Sequence, residues 1–114
     1  MASSTTVLVL TEPVLLTLTA VTEYTSPVNT TTLIKKCTVV NTSGTPASVT
    51  IYKVQSAGIA GALNTITPAI MIAAGKPYEA FEIENHVLAP GDFVQALAGT
   101  AAVLSFSMAG IQIV

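Results

Sequence analysis

The chain has 114 residues, 51% of them apolar, which is enough for one domain around one core and excludes disorder. Only 9% of its residues are charged, against about 25% in an ordinary soluble domain, and arginine is absent. The net charge of −2, with only four lysines, excludes a strong phosphate-backbone contact, so nucleic acid is not an expected partner.

Ala2 to Thr6 is small and polar and is expected to be mobile. Val7–Leu10 and Val14–Leu18 are two short apolar runs split by Thr11-Glu12-Pro13. Proline cannot donate to a ladder, so at least one run belongs at a sheet edge or in an arm. Residues 1–18 are therefore read as an N-terminal arm or the first edge strands, and residues 19–114 as a β-sandwich domain. Thr19–Thr25 continues as a strand that Ser26-Pro27 ends.

Leu33–Val54 is the stretch around which the rest is organised. Cys37 and Val39 alternate with Thr38 and Val40, and Val49 and Ile51 alternate with Thr50 and Tyr52. Side chains two apart share a face of a strand, so the pattern predicts a half-buried hairpin. The turn falls in Asn41-Thr42-Ser43-Gly44-Thr45-Pro46, where each residue type favours a turn for its own reason.

Gln55–Thr67 is a long, apolar loop with room for one helical turn, either packed over one end of the domain or presented to a partner. Ala69–Ala73 is the next strand. Tyr78–Glu84 alternates, with Phe81 and Ile83 expected inward and Glu82 and Glu84 outward. In Leu88-Ala89-Pro90-Gly91-Asp92, Pro then Gly suits the centre of a type II turn with Gly91 at positive φ, and Asp92 is placed to bond nearby backbone. Phe93–Ala98 is a strand. Val103–Met108 follows, with Leu104, Phe106 and Met108 on one face. Ile111 and Ile113 fall in the opposite frame, as a bulge at Ala109-Gly110 would produce. About eight short strands and almost no helical signal predict an all-β, single-domain antiparallel sandwich.

The chemistry is sparse. One cysteine, Cys37, excludes an internal disulfide and a thiolate zinc site, and its inward position makes it a small buried apolar residue. Met1–Ala20 lacks a basic leading region and is broken by Glu12-Pro13, unlike a signal peptide. Phe93–Val114 is uncharged and long enough to span a bilayer, but it alternates with period two and is interrupted by Gln95, Ser105, Ser107 and Gln112; no membrane association is expected.

Glu79, Glu82, Glu84, His86 and Asp92 form the one cluster of ionisable groups. On a strand running to His86, Glu82, Glu84 and His86 would share a face and offer three ligands to a divalent ion. Such spacing arises on any solvated strand, and a solvated face is the reading adopted. Glycoside hydrolysis would need one carboxyl raised by an apolar pocket, for which an exposed strand gives no reason. Tyr24, Tyr52 and Tyr78 are scattered, as core-edge residues with hydroxyls in water are, rather than set as a stacking platform. No catalytic, cofactor-binding or metal-ligating set is assigned, and no enzyme activity is expected.

Several features then combine: the Thr-rich strand ending at Tyr24 and Pro27, CTVVNTSGTPASVTIYKV, the apolar turn-rich stretch, Tyr78-Glu79, and LAPGDFVQA before an alternating closing strand. From Thr19 to Val114 this resembles the small all-β virion proteins of tailed bacteriophages, most of all the jelly-roll cement or decoration proteins of the head. The resemblance implies a protein bound in many copies to the outside of a capsid shell, bridging neighbouring copies of the major capsid protein, often as a homodimer or homotrimer. Related sandwiches serve as head-fibre, collar or tail modules that bind a host or glycan. The charge deficit fits a surface covered by neighbours, since an isolated small domain needs charge to resist association.

Overall fold

The computed structural model describes residues 4–114. It contains nine strands: β1 (Thr5–Leu15), β2 (Val21–Thr25), β3 (Thr31–Asn41), β4 (Ala47–Val54), β5 (Thr65–Ile72), β6 (Pro77–Glu79), β7 (Val87–Leu88), β8 (Phe93–Ala98) and β9 (Leu104–Ile113). They form two antiparallel sheets. Sheet A has the order β1-β9-β3-β6, with β7 also on the outer side of β3; sheet B has the order β2-β8-β4-β5. The single helical turn is a 3-10 turn at Ala62–Asn64, inside the long loop where one was expected.

The pairings are nested along the chain. β1 pairs β9, β2 pairs β8, β3 pairs β6 and β7, and β4 pairs β5. This is one long antiparallel ribbon folded over on itself, and the further pairings β3–β9 and β4–β8 close it into two sheets. That winding is a jelly roll. The inner faces meet in a core of Cys37, Val39, Val49, Ile51, Val94, Ala96, Leu104, Phe106 and Met108, all essentially buried.

The expected hairpin is not one. β3 and β4 lie in different sheets, and Asn41–Ala47 arches from one sheet to the other. Cys37 and Val39 face Val49 and Ile51 across the core instead of lying beside them. Alternation marks an inward face but says nothing about which sheet holds it. Asn41 decides the outcome locally. Its side chain is fully buried; its amide donates to the carbonyls of Thr45 (2.8 Å) and Ile72 (3.0 Å), and its oxygen accepts from the N–H (2.9 Å) and hydroxyl (2.8 Å) of Ser43.

Four other expectations need correction. The expected mobility of Ala2–Thr6 falls partly outside the described residues; within them, Ser4 exchanges two backbone bonds with Val114, and Thr5 and Thr6 belong to β1. The two N-terminal runs are mostly one strand, an edge of the domain's own sheet, which ends at Leu15. Pro13 sits where the register shifts between Thr11 and Val14, as edge position and bulge both allow. β5 begins at Thr65, four residues early, with Pro68 and Ala69 at a register shift on the edge of sheet B. Finally, β9 runs unbroken through Ala109-Gly110. The extra residues lie in its neighbours, Leu10 in β1 and Lys35 in β3. Gly110 stays buried on the inner face, so Ile111 and Ile113 are true outer-face residues.

The alternating strand at Tyr78–Glu84 is also absent. Pairing stops at Glu79, and the chain turns: the Ile83 N–H bonds the Ala80 carbonyl (3.1 Å) and the His86 N–H bonds the Ile83 carbonyl (3.2 Å). A three-residue step buries Ala80 and Ile83 together and leaves Phe81 exposed. The segment still serves β3 at its bulge, where Glu84 Oε2 accepts the Cys37 N–H at 3.0 Å in place of a ladder carbonyl.

Candidate functional site

The turn after β6 takes the ionisable cluster apart. Glu79 lies on the surface and pairs with Lys36 at 2.9 Å, and above all that hydrogen bond to the ammonium holds its carboxyl below the usual range. Both partners are solvated, so the pair adds little to stability. Glu82 points the other way, accepting from the Tyr78 hydroxyl and, at 3.1 Å, from the buried Thr67 hydroxyl of β5. Glu84 is committed to β3. His86 lines a separate hollow of about 230 Å³ with Lys53, Gln55, Leu63, Asn64 and Ile66. Glu82, Glu84 and His86 therefore share no face, and no group of three or more metal-ligating side chains converges among the described residues. The solvated-face reading holds for Glu79; Glu82 and Glu84 are half-buried fasteners.

Replacing Glu82 with alanine is expected to cost about 1–3 kcal/mol in urea unfolding, because the Thr67 hydroxyl is left buried without a partner. Glu79→Ala, which removes only an exposed pair, is expected to leave the midpoint unmoved.

Asp92 closes the type II turn as expected. Gly91 has φ +88, the Asp92 N–H bonds the Ala89 carbonyl (3.0 Å), and one carboxylate oxygen accepts the Ala89 N–H (3.1 Å). The other oxygen accepts the Ser56 N–H (3.0 Å), tying the β4–β5 loop to this turn. Its role is structural.

Cys37 is buried. Burial, reinforced by the charges of Glu84 and Glu82, pushes its thiol well above the ordinary range, so it stays protonated and unreactive. The tyrosines form no platform, and two hydroxyls are bonded to protein rather than open to water. Tyr24 meets Thr32 (2.9 Å) and Gln112 (2.7 Å), while Tyr78 meets Glu82. Partial burial and then that bond raise the Tyr78 hydroxyl, so it remains a donor. Tyr52 lies apart in sheet B, opposite Gln95 and Thr65.

The surface that stands out is apolar. The registers of β7, β3, β9 and β1 align Val87, Leu33, Ile111 and Val7 in one row across the outer face of sheet A. Val7 is 79% exposed and Val87 51%. Beside it, Val9, Thr11, Lys36, Thr38 and Met108 help line a shallow groove of about 250 Å³. At the same end, the β2–β3 and β4–β5 connections carry Val28, Ile59 (88% exposed) and Leu63 (97% exposed). Within the long loop Ile59 and Leu63 turn outward, while Ile66 at its end packs against the core. No charged side chain occurs in Thr5–Leu10, Thr31–Ile34 or Gly110–Val114.

The sequence carries two signals of this row. The apolar frame changes face at Ile111, and the first charge in the chain is Glu12. Neither shows that four strands would set their apolar residues side by side.

Among the described residues no helix is long and apolar enough to cross a membrane. Comparison with protein-family models, with curated proteins and with solved structures finds no match for this chain.

Proposed function

We propose that this chain is a structural virion protein of a tailed bacteriophage, a capsid cement or decoration protein that binds the outside of the head and bridges neighbouring coat subunits. The observation that carries the reading is the uncharged apolar row Val87-Leu33-Ile111-Val7 on the outer face of a jelly roll. An apolar patch rimmed by polar residues on a small domain marks a surface that another protein covers. The exposed Ile59 and Leu63 extend the adhesive area at that end. A specific contact buries roughly 1,600 Å² in total, and repetition over a lattice multiplies weak contacts into firm attachment. The chemistry that the fold uses up elsewhere fits adhesion: Glu82, Glu84 and Asp92 are bonded to neighbouring strands and turns, and the thiol of Cys37 is buried.

Quantitative mass spectrometry of purified virions tests the proposal. The chain is expected at about the copy number of the major capsid protein, and Val87→Lys is expected to reduce its occupancy on the shell. A few copies per particle would overturn the cement reading and point to a head-fibre, collar or tail module.

A further inference from the structure

Strand β1 ends sheet A, and its pairing with β9 settles which of its backbone groups are free. Ser4 and Val114 exchange both N–H···O bonds, at 3.1 and 2.8 Å. Antiparallel pairs alternate between mutually bonded and unbonded, so Thr6 and Leu8, opposite Gln112 and Gly110, also bond β9. Thr5, Val7 and Val9 therefore turn their N–H and C=O groups to the open side.

Among the described residues nothing guards that side. Edge strands are ordinarily blunted by lysine, proline or a bulge. Here those devices begin only at the register shift around Leu10, followed by Glu12 and Pro13. The unguarded segment is Thr5–Val9, uncharged and bounded, with Val7 79% and Val9 53% exposed.

We propose that this segment pairs antiparallel with the same segment of a second copy, about a two-fold axis at Val7, joining the two A sheets into one. Val7 then faces Val7 of the other copy, and Thr5 faces Val9. Three mutually bonded pairs supply about six backbone hydrogen bonds. A second copy is the occupant for three reasons. An antiparallel edge meets itself about a two-fold axis with both copies using one patch. The segment carries no charge, so self-pairing sets no like charges opposite each other. The apolar row reaches the edge at Val7 and continues without a gap into the other copy's Val7, Ile111, Leu33 and Val87.

Five-residue edges bury less than the roughly 1,200 Å² of a standard stable interface, so the dimer in solution is concentration-dependent. A common lattice would raise the local concentration of both copies and strengthen the pairing. The inference stands on the edge and not on the cement reading. A chain that dimerises but never enters virions keeps the first and loses the second.

Sedimentation equilibrium combined with residue-resolved amide exchange on the full chain tests it. A monomer–dimer equilibrium is expected, with the Thr5, Val7 and Val9 amides protected about tenfold or more as concentration rises, while Thr6 and Leu8 are protected throughout. Val7→Pro removes an edge N–H that β9 does not use, at an edge position that proline tolerates. Val7→Lys sets two ammonium groups face to face. Each is expected to raise the dissociation constant at least about tenfold, with the β-type circular dichroism unchanged. Val87→Lys, at the far end of the row, is expected to retain the dimer. A wild-type monomer at all concentrations would overturn the proposal. So would a dimer that survives both Val7 substitutions, or one lost on Val87→Lys alone.

Discussion

Asn41→Ala is expected to lower the stability of the domain by about 3 kcal/mol, a large part of the roughly 5–15 kcal/mol available to a fold of this size. The buried carbonyl of Ile72 and the carbonyl of Thr45 lose the amide that donates to them, and the N–H and hydroxyl of Ser43 lose the oxygen that accepts from them. An unsatisfied buried polar group costs about 1–3 kcal/mol, and the arch groups recover part of their loss from water. Asn41→Asp separates the two halves of the side chain. It keeps the acceptor for Ser43 but turns a carboxylate oxygen toward two carbonyls, so it is expected to be at least as damaging. Urea unfolding reads both effects. A midpoint for Asn41→Ala within error of wild type would mean that the arch is held by β3 and β4 themselves.

Gly110→Ala is expected to cost about 2–3 kcal/mol, in the range of an overpacked core. A β-carbon there would overlap the Leu33 carbonyl oxygen and lie 2.9 Å from Leu10 Cδ1 and 3.3 Å from Ile34 Cα. The first of these is backbone held in a ladder and cannot swing aside. β3 comes this close because β1 and β3 both carry their extra residue beside this point. The damage is expected to concentrate where Thr5–Val9, Thr31–Leu33 and Ile111–Ile113 run together, seen as faster amide exchange in those strands and a weaker β1 edge. Gly44→Ala, with open space around its position, is the control and is expected to be neutral.

The two substitutions bear on function by different routes. Asn41 sits at the arch end of the sandwich, where β3 leaves sheet A, so its loss loosens the whole fold. Gly110 lies beneath the apolar row, so its loss loosens the surface to which we assign the proposed adhesion. A virion assay on Gly110→Ala is expected to show reduced occupancy at temperatures where the rest of the domain is still folded.

Much of the architecture was legible in the residues. Leu104, Phe106 and Met108 share an inward face, Phe93–Ala98 is a strand with the expected bounds, and Pro90-Gly91-Asp92 makes the expected turn. These features rest on local physics: two-residue periodicity and the positive φ that glycine tolerates. The ionisable cluster departs from its apparent strand pattern for a local reason as well. Phe81-Glu82-Ile83-Glu84 alternates like a strand, but Ala80 and Ile83 are also three apart, and the latter spacing won because Glu82 and Glu84 found partners on β5 and β3.

That this chain is a single all-β domain with an ion-poor skin can be read from its residues alone, because composition, strand periodicity and turn chemistry are properties of neighbours along the chain. Three outcomes emerge from long-range pairing alone: β3 and β4 belong to opposite sheets, the bulges lie beside β9 and not in it, and Val7, Leu33, Val87 and Ile111 form one band ending at an open edge. Those outcomes depend on which distant strands pair and in what register. Backbone hydrogen bonds are indifferent to sequence, and register is set by the burial of many side chains at once, so no local pattern carries that information.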